Sequence, residues 1–207
     1  MTSGAVVRAP GRPRSERADR AIVDATLDLL AEVGPSALTV EEVASRAGVG
    51  KATIYRRFSG KDELVLESLV TLNDDLVDVD DALTTRDALV LLLEQMLSQQ
   101  ASCHWGRILP RVMGHARSHP ELFGAIYDAV IEPRRERFRA VLRRGVGRGE
   151  IRPDVDVDLA VTLLVGPVLY RSMVAAGGRD PAPAVTVADV VDTVIAGLRP
   201  SGRSTGG

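Results

Sequence analysis

Apolar positions along this chain recur at intervals of three and four, which is the period of a helix with one buried face. Ile22, Ala25, Thr26, Leu29, Leu30 and Val33 set the pattern, and Gly34-Pro35 predicts its end. Val40, Val43, Ala44 and Ala47 repeat it for barely two turns, opened by Thr39 with Glu42 three residues on, a capping-box spacing. Gly48 closes this second helix and a third is predicted over Lys51–Phe58. Ser59 with Asp62, and Thr84 with Asp87, give two further start signals, the first opening a helix expected to run to about Leu76. Pro120 suits a first helical position, whereas Pro133 falls inside an otherwise helical stretch and should kink or divide it. No stretch alternates in the manner of a strand. The fold class read from this pattern is all-α, with about nine helices.

The helix predicted near 157–176 differs from the rest. Val157, Ala160, Val161, Leu164, Val165, Val168 and Leu169 mark one face, while Leu159, Leu163, Tyr170, Met173 and Val174 load much of the remainder. A helix apolar nearly all round needs cover on two sides, from a second subunit or from a central position in the core. Val187, Val190, Val191, Val194, Ile195 and Leu198 then form a clean stripe that closes the pattern.

Composition adds bounds. The 207 residues, 45% hydrophobic and 26% charged, are those of an ordinary globular chain. One cysteine, Cys103, leaves no intramolecular disulfide and no thiolate metal cage. The charge-free stretch around Leu159–Tyr170 spans 12 residues, short of the ~20 of a membrane helix. With no signal-peptide pattern, a cytoplasmic protein is expected. Net charge is −2, but the distribution is uneven: residues 63–87 hold eight acids against Arg86 alone, and residues 134–152 hold eight Arg against two Glu. Asp74, Asp75, Asp78, Asp80 and Asp81 lack calcium-loop spacing and are expected to be a solvated face, with the Arg-rich segment as the alternative neighbour. Phe138, Val141, Leu142 and Gly145 make that Arg-rich segment an amphipathic helix.

Three helices in residues 16–58, with a tight Gly-containing turn between the second and third, describe a helix-turn-helix. A helix entering a major groove about 12 Å wide needs small, polar or basic outward positions and apolar inward ones. Ile54 and Phe58 share one face; Lys51, Ala52, Thr53, Tyr55 and Arg56 are left to point elsewhere. Arg and Lys suit guanine, Ala and the Thr methyl suit the thymine methyl, and Tyr can reach a phosphate.

The run Leu38-Thr39-Val40-x-x-Val43-Ala44-x-x-Ala47-Gly48-Val49-Gly50-x-x-Thr53-Ile54-Tyr55-x-x-Phe58-x-x-Lys61-x-x-Leu64 resembles the signature of the TetR family of bacterial transcriptional regulators. The resemblance covers about Arg17 to Leu69. It implies that Thr39, Tyr55 and Lys61 bind phosphates and that Gly50, Lys51, Ala52, Thr53 and Arg56 stand at base-reading positions. Gly50 brings no side chain, so it offers only close backbone approach. The structural alternatives are a core role for Tyr55, a cap alone for Thr39 and a solvated Lys61. Pro10-Gly11-Arg12-Pro13-Arg14 resembles an AT-hook core, placing Arg12 and Arg14 as minor-groove candidates; a basic tether is the alternative.

The resemblance further implies a C-terminal domain that pairs subunits and binds an effector. The boundaries expected are a flexible basic arm over 1–15, the DNA-binding domain over 16–62, the ligand and dimerisation domain over 63–199 and a flexible tail over 200–207. Val161, Leu164, Val168, Val187, Val191, Val194 and Leu198 are the dimerisation candidates. Arg148-Gly149-Glu150-Ile151-Arg152-Pro153-Asp154 is similar to a turn found in one group of these regulators. For a largely apolar effector the candidate lining is Trp105, Met113, Phe123, Tyr127, Tyr170 and Met173, with His104, Arg107, Arg111 and His115 as sources of polarity. His115 and His119 lie four apart but without a carboxylate motif, so neither metal nor cofactor is expected. An enzyme is not expected: Cys103 and His104 are adjacent, hence point apart on a helix, and no phosphate-binding Gly loop, nucleophile elbow or His-Glu-x-x-His is present. The function expected is a homodimeric repressor, released from a pseudo-palindromic operator by a small molecule. Its alternatives are an architectural, sequence-tolerant DNA binder and a helical binding protein without a DNA role.

Overall fold

The computed structural model describes residues 12–74, 76, 78–102, 104–178 and 185–199, and every regular element among them is helical. In order these are α1 (Arg12–Ala37), α2 (Val40–Ala47), α3 (Lys51–Tyr55), α4 (Lys61–Val70), a 3₁₀ turn (Thr71–Asn73), α5 (Thr85–Ser102), α6 (His104–His115), α7 (Pro120–Ile126), a π turn (Tyr127–Ile131), α8 (Glu132–Gly147), α9 (Val157–Ala176) and α10 (Val187–Leu198). Because α7 runs through the π turn into α8, the described residues form nine rods. The first helix reaches back to Arg12, four residues into the expected arm; residues 1–11 and 200–207 lie outside the described residues, as does Cys103.

The local signals act largely as expected. Gly34 takes φ 78°, a left-handed conformation that interrupts α1 where Gly34-Pro35 predicts a stop. The Thr39–Glu42 capping box is complete, with Glu42 N–H donating to Thr39 Oγ1 at 3.2 Å and Thr39 N–H to Glu42 Oε2 at 3.1 Å. Thr84 caps α5 through the Asp87 N–H at 3.1 Å. Thr186 and Asp189 form a second full capping box, at α10. The Ser59–Asp62 signal is shifted instead: Gly60 is the N-cap, and Ser59 N–H donates to Glu63.

Two helices are shorter than the periodicity predicts. After Tyr55 the last turn of α3 tightens, with Arg57 N–H donating to Ile54 O at 2.9 Å, which swings Phe58 back into the core. α4 stops at Val70 rather than near Leu76, where Ser68 and Thr71 hydroxyls each donate to a carbonyl four or three residues back at 2.7 Å and bend the chain out of register. At Pro133 the helical stretch is divided without being ended: a π turn closes at Ile131 and α8 opens at Glu132 with the proline in its first turn. The Ala129 carbonyl, deprived of its α-helical donor by that proline, lies in the π turn and accepts from Asn73 Nδ2 at 3.0 Å.

Burial is divided between two cores. One joins α1–α4 to α6 and α7 through Ile22, Leu30, Ile54, Phe58, Leu64, Ile108 and Ile126. The other joins α5, α8, α9 and α10 through Leu89, Leu93, Phe138, Leu142, Val161 and Leu164. The helix-turn-helix is therefore welded to α6 and α7, not merely tethered. Arg111 Nη2 donates to Glu32 O at 3.2 Å and His119 Nε2 lies 3.0 Å from Ser36 Oγ across this junction.

The structure refines three expectations. Asp74, Asp78, Asp80 and Asp81 are exposed as a solvated face requires, and Asp81 in addition pairs with Arg144 while Arg148 donates to the backbone carbonyls of Asp81 and Leu83, so the acidic segment also meets the Arg-rich helix there. Val161, Leu164, Val168 and Val191 sit in the subunit's own second core, where they hold its helices together rather than present a surface, while Leu198 packs on the same core at its edge. Finally, α9 over Val157–Ala175 has the length and mean hydropathy, 1.5, of a membrane span, which a count of charge-free residues does not register. In this fold its Ala160, Val161, Leu164 and Val168 face is core, while Leu159, Leu163, Tyr170 and Met173 remain on the surface.

Candidate nucleic-acid interface and effector cavity

A five-residue helix has no stability of its own, so α3 exists because its inward side chains are gripped. Ile54 is 1% exposed and Phe58 2%, and Val49 packs beside them. Arg57 ties the end of this segment to α1 by pairing with Asp19 while its guanidinium stands over the Phe58 ring, 5.4 Å from the centroid. Arg46 does the same for α2, forking onto Glu32 with bonds of 2.7 and 2.8 Å that hold the Glu32 carboxyl below its ordinary range. The scaffold under α3 is rigid, and its outer face is left over.

That outer face carries Lys51, Ala52, Tyr55 and Arg56, all exposed, with Thr53 half-buried and Gly50 as the N-cap. Tyr55 is 54% exposed, which removes the core alternative for its ring. Thr39 is exposed at the N-terminus of α2 while serving as its cap. Lys61, also expected on a phosphate, is half-buried, and its Nζ lies 3.2 Å from Pro35 O and 3.5 Å from Ser36 O, carbonyls of the last turn of α1. Lys51 Nζ donates to Glu41 Oε1 at 2.9 Å; this bond raises the lysine's pKa and lowers that of the glutamate. Glu41 is not among the expected site residues, and only the spatial closeness of α2 and α3 reveals it. The side chains of Arg12 and Arg14, in the first turn of α1, lie outside the described set.

A cavity of about 250 Å³ opens between α5, α6, α7, α8 and α9. Met113, Phe123, Tyr127 and Met173 line it as expected, together with Met96, Leu109, Pro110, Phe138 and Leu169. Phe123 and Tyr127 stack obliquely, with centroids 6.3 Å apart. Tyr170 is absent from the lining and 68% exposed, on the stripe of α9 that also carries the exposed Leu159 and Leu163. The Trp105 side chain lies outside the described residues. Of the expected polar residues, Arg111 and His115 face the α1 junction, with guanidinium and ring bonded to carbonyls of α6 and α1, Arg107 is not in the lining, and the His104 side chain lies outside the described residues. Polarity in the wall comes from Arg134, Arg135 and Ser172. Periodicity passes over both arginines because their helix reads as an amphipathic surface helix.

A second concavity, a groove between α9 and α10, is lined by Leu159, Leu163, Pro167, Val185, Thr193, Val194 and Gly197 among others. Of the expected dimerisation residues only Val194 and Leu198 reach it.

Comparison with known proteins matches both halves of this architecture. The family model described as bacterial regulatory proteins, tetR family, covers residues 22–68, and the one described as tetracyclin repressor-like, C-terminal domain, covers residues 79–194. The chain is 31% identical over 195 residues to the DNA-binding transcriptional repressor TetR of Mycobacteroides abscessus, covering 92% of this chain and 98% of that one. It superposes on the crystal structure of the TetR family transcription regulator SCO0332 with a TM-score of 0.64 and 29% identity, over 89% of this chain and 100% of that one. In fold it also matches the transcriptional regulator FadR of Bacillus subtilis, solved in complex with stearoyl-CoA, with a TM-score of 0.70 and 21% identity over 86% of this chain and 95% of that one. The architectural alternative finds no support in these likenesses. With a full-length relative above 30% identity and family models over both its cores, the chain belongs to the TetR family of DNA-binding bacterial transcriptional regulators.

Proposed function

We propose that this regulator works as a cytoplasmic homodimer that represses transcription from a pseudo-palindromic operator and releases it when a small, largely apolar effector fills the cavity between α5 and α9. The observation that carries the reading is the outward face of α3, whose exposed Lys51, Ala52, Tyr55 and Arg56 stand on an anchored, rigid base. In this reading Lys51, Ala52, Thr53 and Arg56 contact bases, Gly50 lets the backbone approach, and Thr39, Tyr55 and Lys61 hold phosphates, with Arg12 and Arg14 as a minor-groove or tethering arm. Binding, not catalysis, is the activity.

Two reading helices must sit about one DNA turn apart, which requires a second copy. The groove between α9 and α10 supplies the self-complementary surface, through exposed Leu159, Leu163 and Val185. Effector control passes through α6. One side of that helix, with Leu109, Pro110 and Met113, faces the cavity; the other, with Ile108, Val112 and Arg111, is packed or bonded to α1. A ligand that favours a shifted α6 thereby favours a shifted α1 and a changed spacing of the reading helices. The test is selection of random double-stranded DNA on the purified full-length protein, followed by titration of the enriched site. An enriched pseudo-palindrome bound two subunits at a time is expected; a failure to enrich any site would refute sequence-specific binding by the effector-free protein.

A further inference from the structure

We propose that the cavity takes an amphipathic organic anion: an alkyl chain of roughly eight carbons, bearing a carboxylate that Arg135 receives. The inference rests on the reading of this cavity as the effector site and specifies its ligand class. Three methionines stand in the apolar wall. Met96, Met113 and Met173, every methionine of the chain except Met1, line the cavity. Thioether side chains re-pack around flexible aliphatic ligands more readily than branched ones. At a share of ~30 Å³ per water-sized group, the volume of about 250 Å³ holds roughly eight such groups.

The head-group assignment comes from how the arginines are partnered. Arg134 is fixed on backbone, donating to Val130 O at 3.0 Å and Leu72 O at 2.9 Å. Arg135 is different. Its contacts are Thr162 Oγ1 at 3.4 Å and the carboxylates of Glu132 and Asp158, each at 3.9 Å, all too long for strong bonds. Those two carboxylates are instead held at 2.7 Å each by the neighbouring Arg139. Arg135 is left with a side chain 19% exposed and a buried Nε without a hydrogen-bond partner, 3.9 Å from the equally unpartnered Glu132 Oε2, in the wall of an apolar cavity with no acid among the described lining residues. Such a guanidinium carries a desolvation cost that an oxyanion offsets, with a geometry that suits a carboxylate. A cationic head group would be repelled, and an alcohol would accept a hydrogen bond without neutralising the guanidinium.

Calorimetric titration of the full-length protein with octanoate, octanol and octylammonium at neutral pH tests this. Octanoate is expected to bind about tenfold or more tighter than octanol, with octylammonium weakest. Arg135→Gln is expected to bring the octanoate-to-octanol ratio close to one, and Arg135→Lys to keep part of the preference. Should Arg135→Gln lose its helical circular dichroism, the ranking of the three ligands on the wild-type protein decides alone. Octanol binding as tightly as octanoate, an undiminished acid preference in a folded Arg135→Gln, or no binding of any of the three would overturn the assignment. Octanoate binding that leaves operator affinity untouched would refute the effector reading of the cavity while sustaining its ligand class.

Discussion

Replacing Tyr55 by Phe removes one hydroxyl from a ring that is 54% exposed, next to Ile54 at 1%. The fold has almost nothing to lose: surface changes of this kind stay within about 0.5 kcal/mol, or roughly 2 °C in Tm for a chain of this size. The operator complex has more to lose. A hydrogen bond contributes about 1 kcal/mol net, and a dimer makes it twice, so affinity should fall by about 30-fold. Because no charge is removed, the slope of log K against log salt should hold. Arg56→Ala is the natural comparison, since it takes one cation from each subunit and should flatten that slope by as much as about 1.8. Fluorescence anisotropy on the selected operator at several salt concentrations, beside thermal unfolding of each variant, separates the effects. Unaltered affinity of Tyr55→Phe would refute the phosphate assignment. A Tm fall of many degrees would show instead that the hydroxyl serves packing.

Glu41→Gln should tighten operator binding several-fold and steepen its salt dependence, because Lys51 then meets DNA without first leaving a carboxylate 2.9 Å away; equal slopes would dismiss the pair as a competitor. Gly145→Ala should lower stability by about 1–3 kcal/mol, since the added Cβ would stand 2.4 Å from Thr85 Oγ1. Thermal unfolding should find part of that loss recovered by Thr85→Ala and none by Thr85→Ser, which keeps the clashing oxygen. Leu163→Asp puts like charges on the groove expected to meet its own copy, and light scattering should report monomers. Glu150 accepts the Thr85 N–H at 2.8 Å, which holds its carboxyl below the ordinary range. Its contribution is therefore full above the unfolded value near 4.5 and lost as pH falls through the lowered folded one. The stability gap between wild type and Glu150→Gln should narrow from pH 6 to pH 3 in denaturant titrations.

What can be read from the chain follows the range of the forces involved. The Thr39–Glu42 box, the Gly34 break and the inward pair Ile54 and Phe58 are decided within four residues or so, and periodicity sees that far. The end of α4 escapes it because the chain there is held by Asn73 reaching Ala129, 56 residues away. Facing is harder than helicity. On α9 both sides are apolar, so nothing in the spacing says which one the subunit keeps; α5 and α8 claim Val161, Leu164 and Val168 and leave Leu159 and Leu163 outside. The same ambiguity assigns Tyr170 to the cavity and hides Arg135 from it. An arginine on an amphipathic helix reads as solvated until its neighbours are known, and here Arg139 makes the short bonds to Glu132 and Asp158 while Arg135 stays 3.9 Å from each. Aromatic and sulfur positions thus outline much of the cavity wall, with Met113, Phe123, Tyr127 and Met173 all on it, while the charge in that wall emerges only from the way two guanidiniums share Glu132 and Asp158.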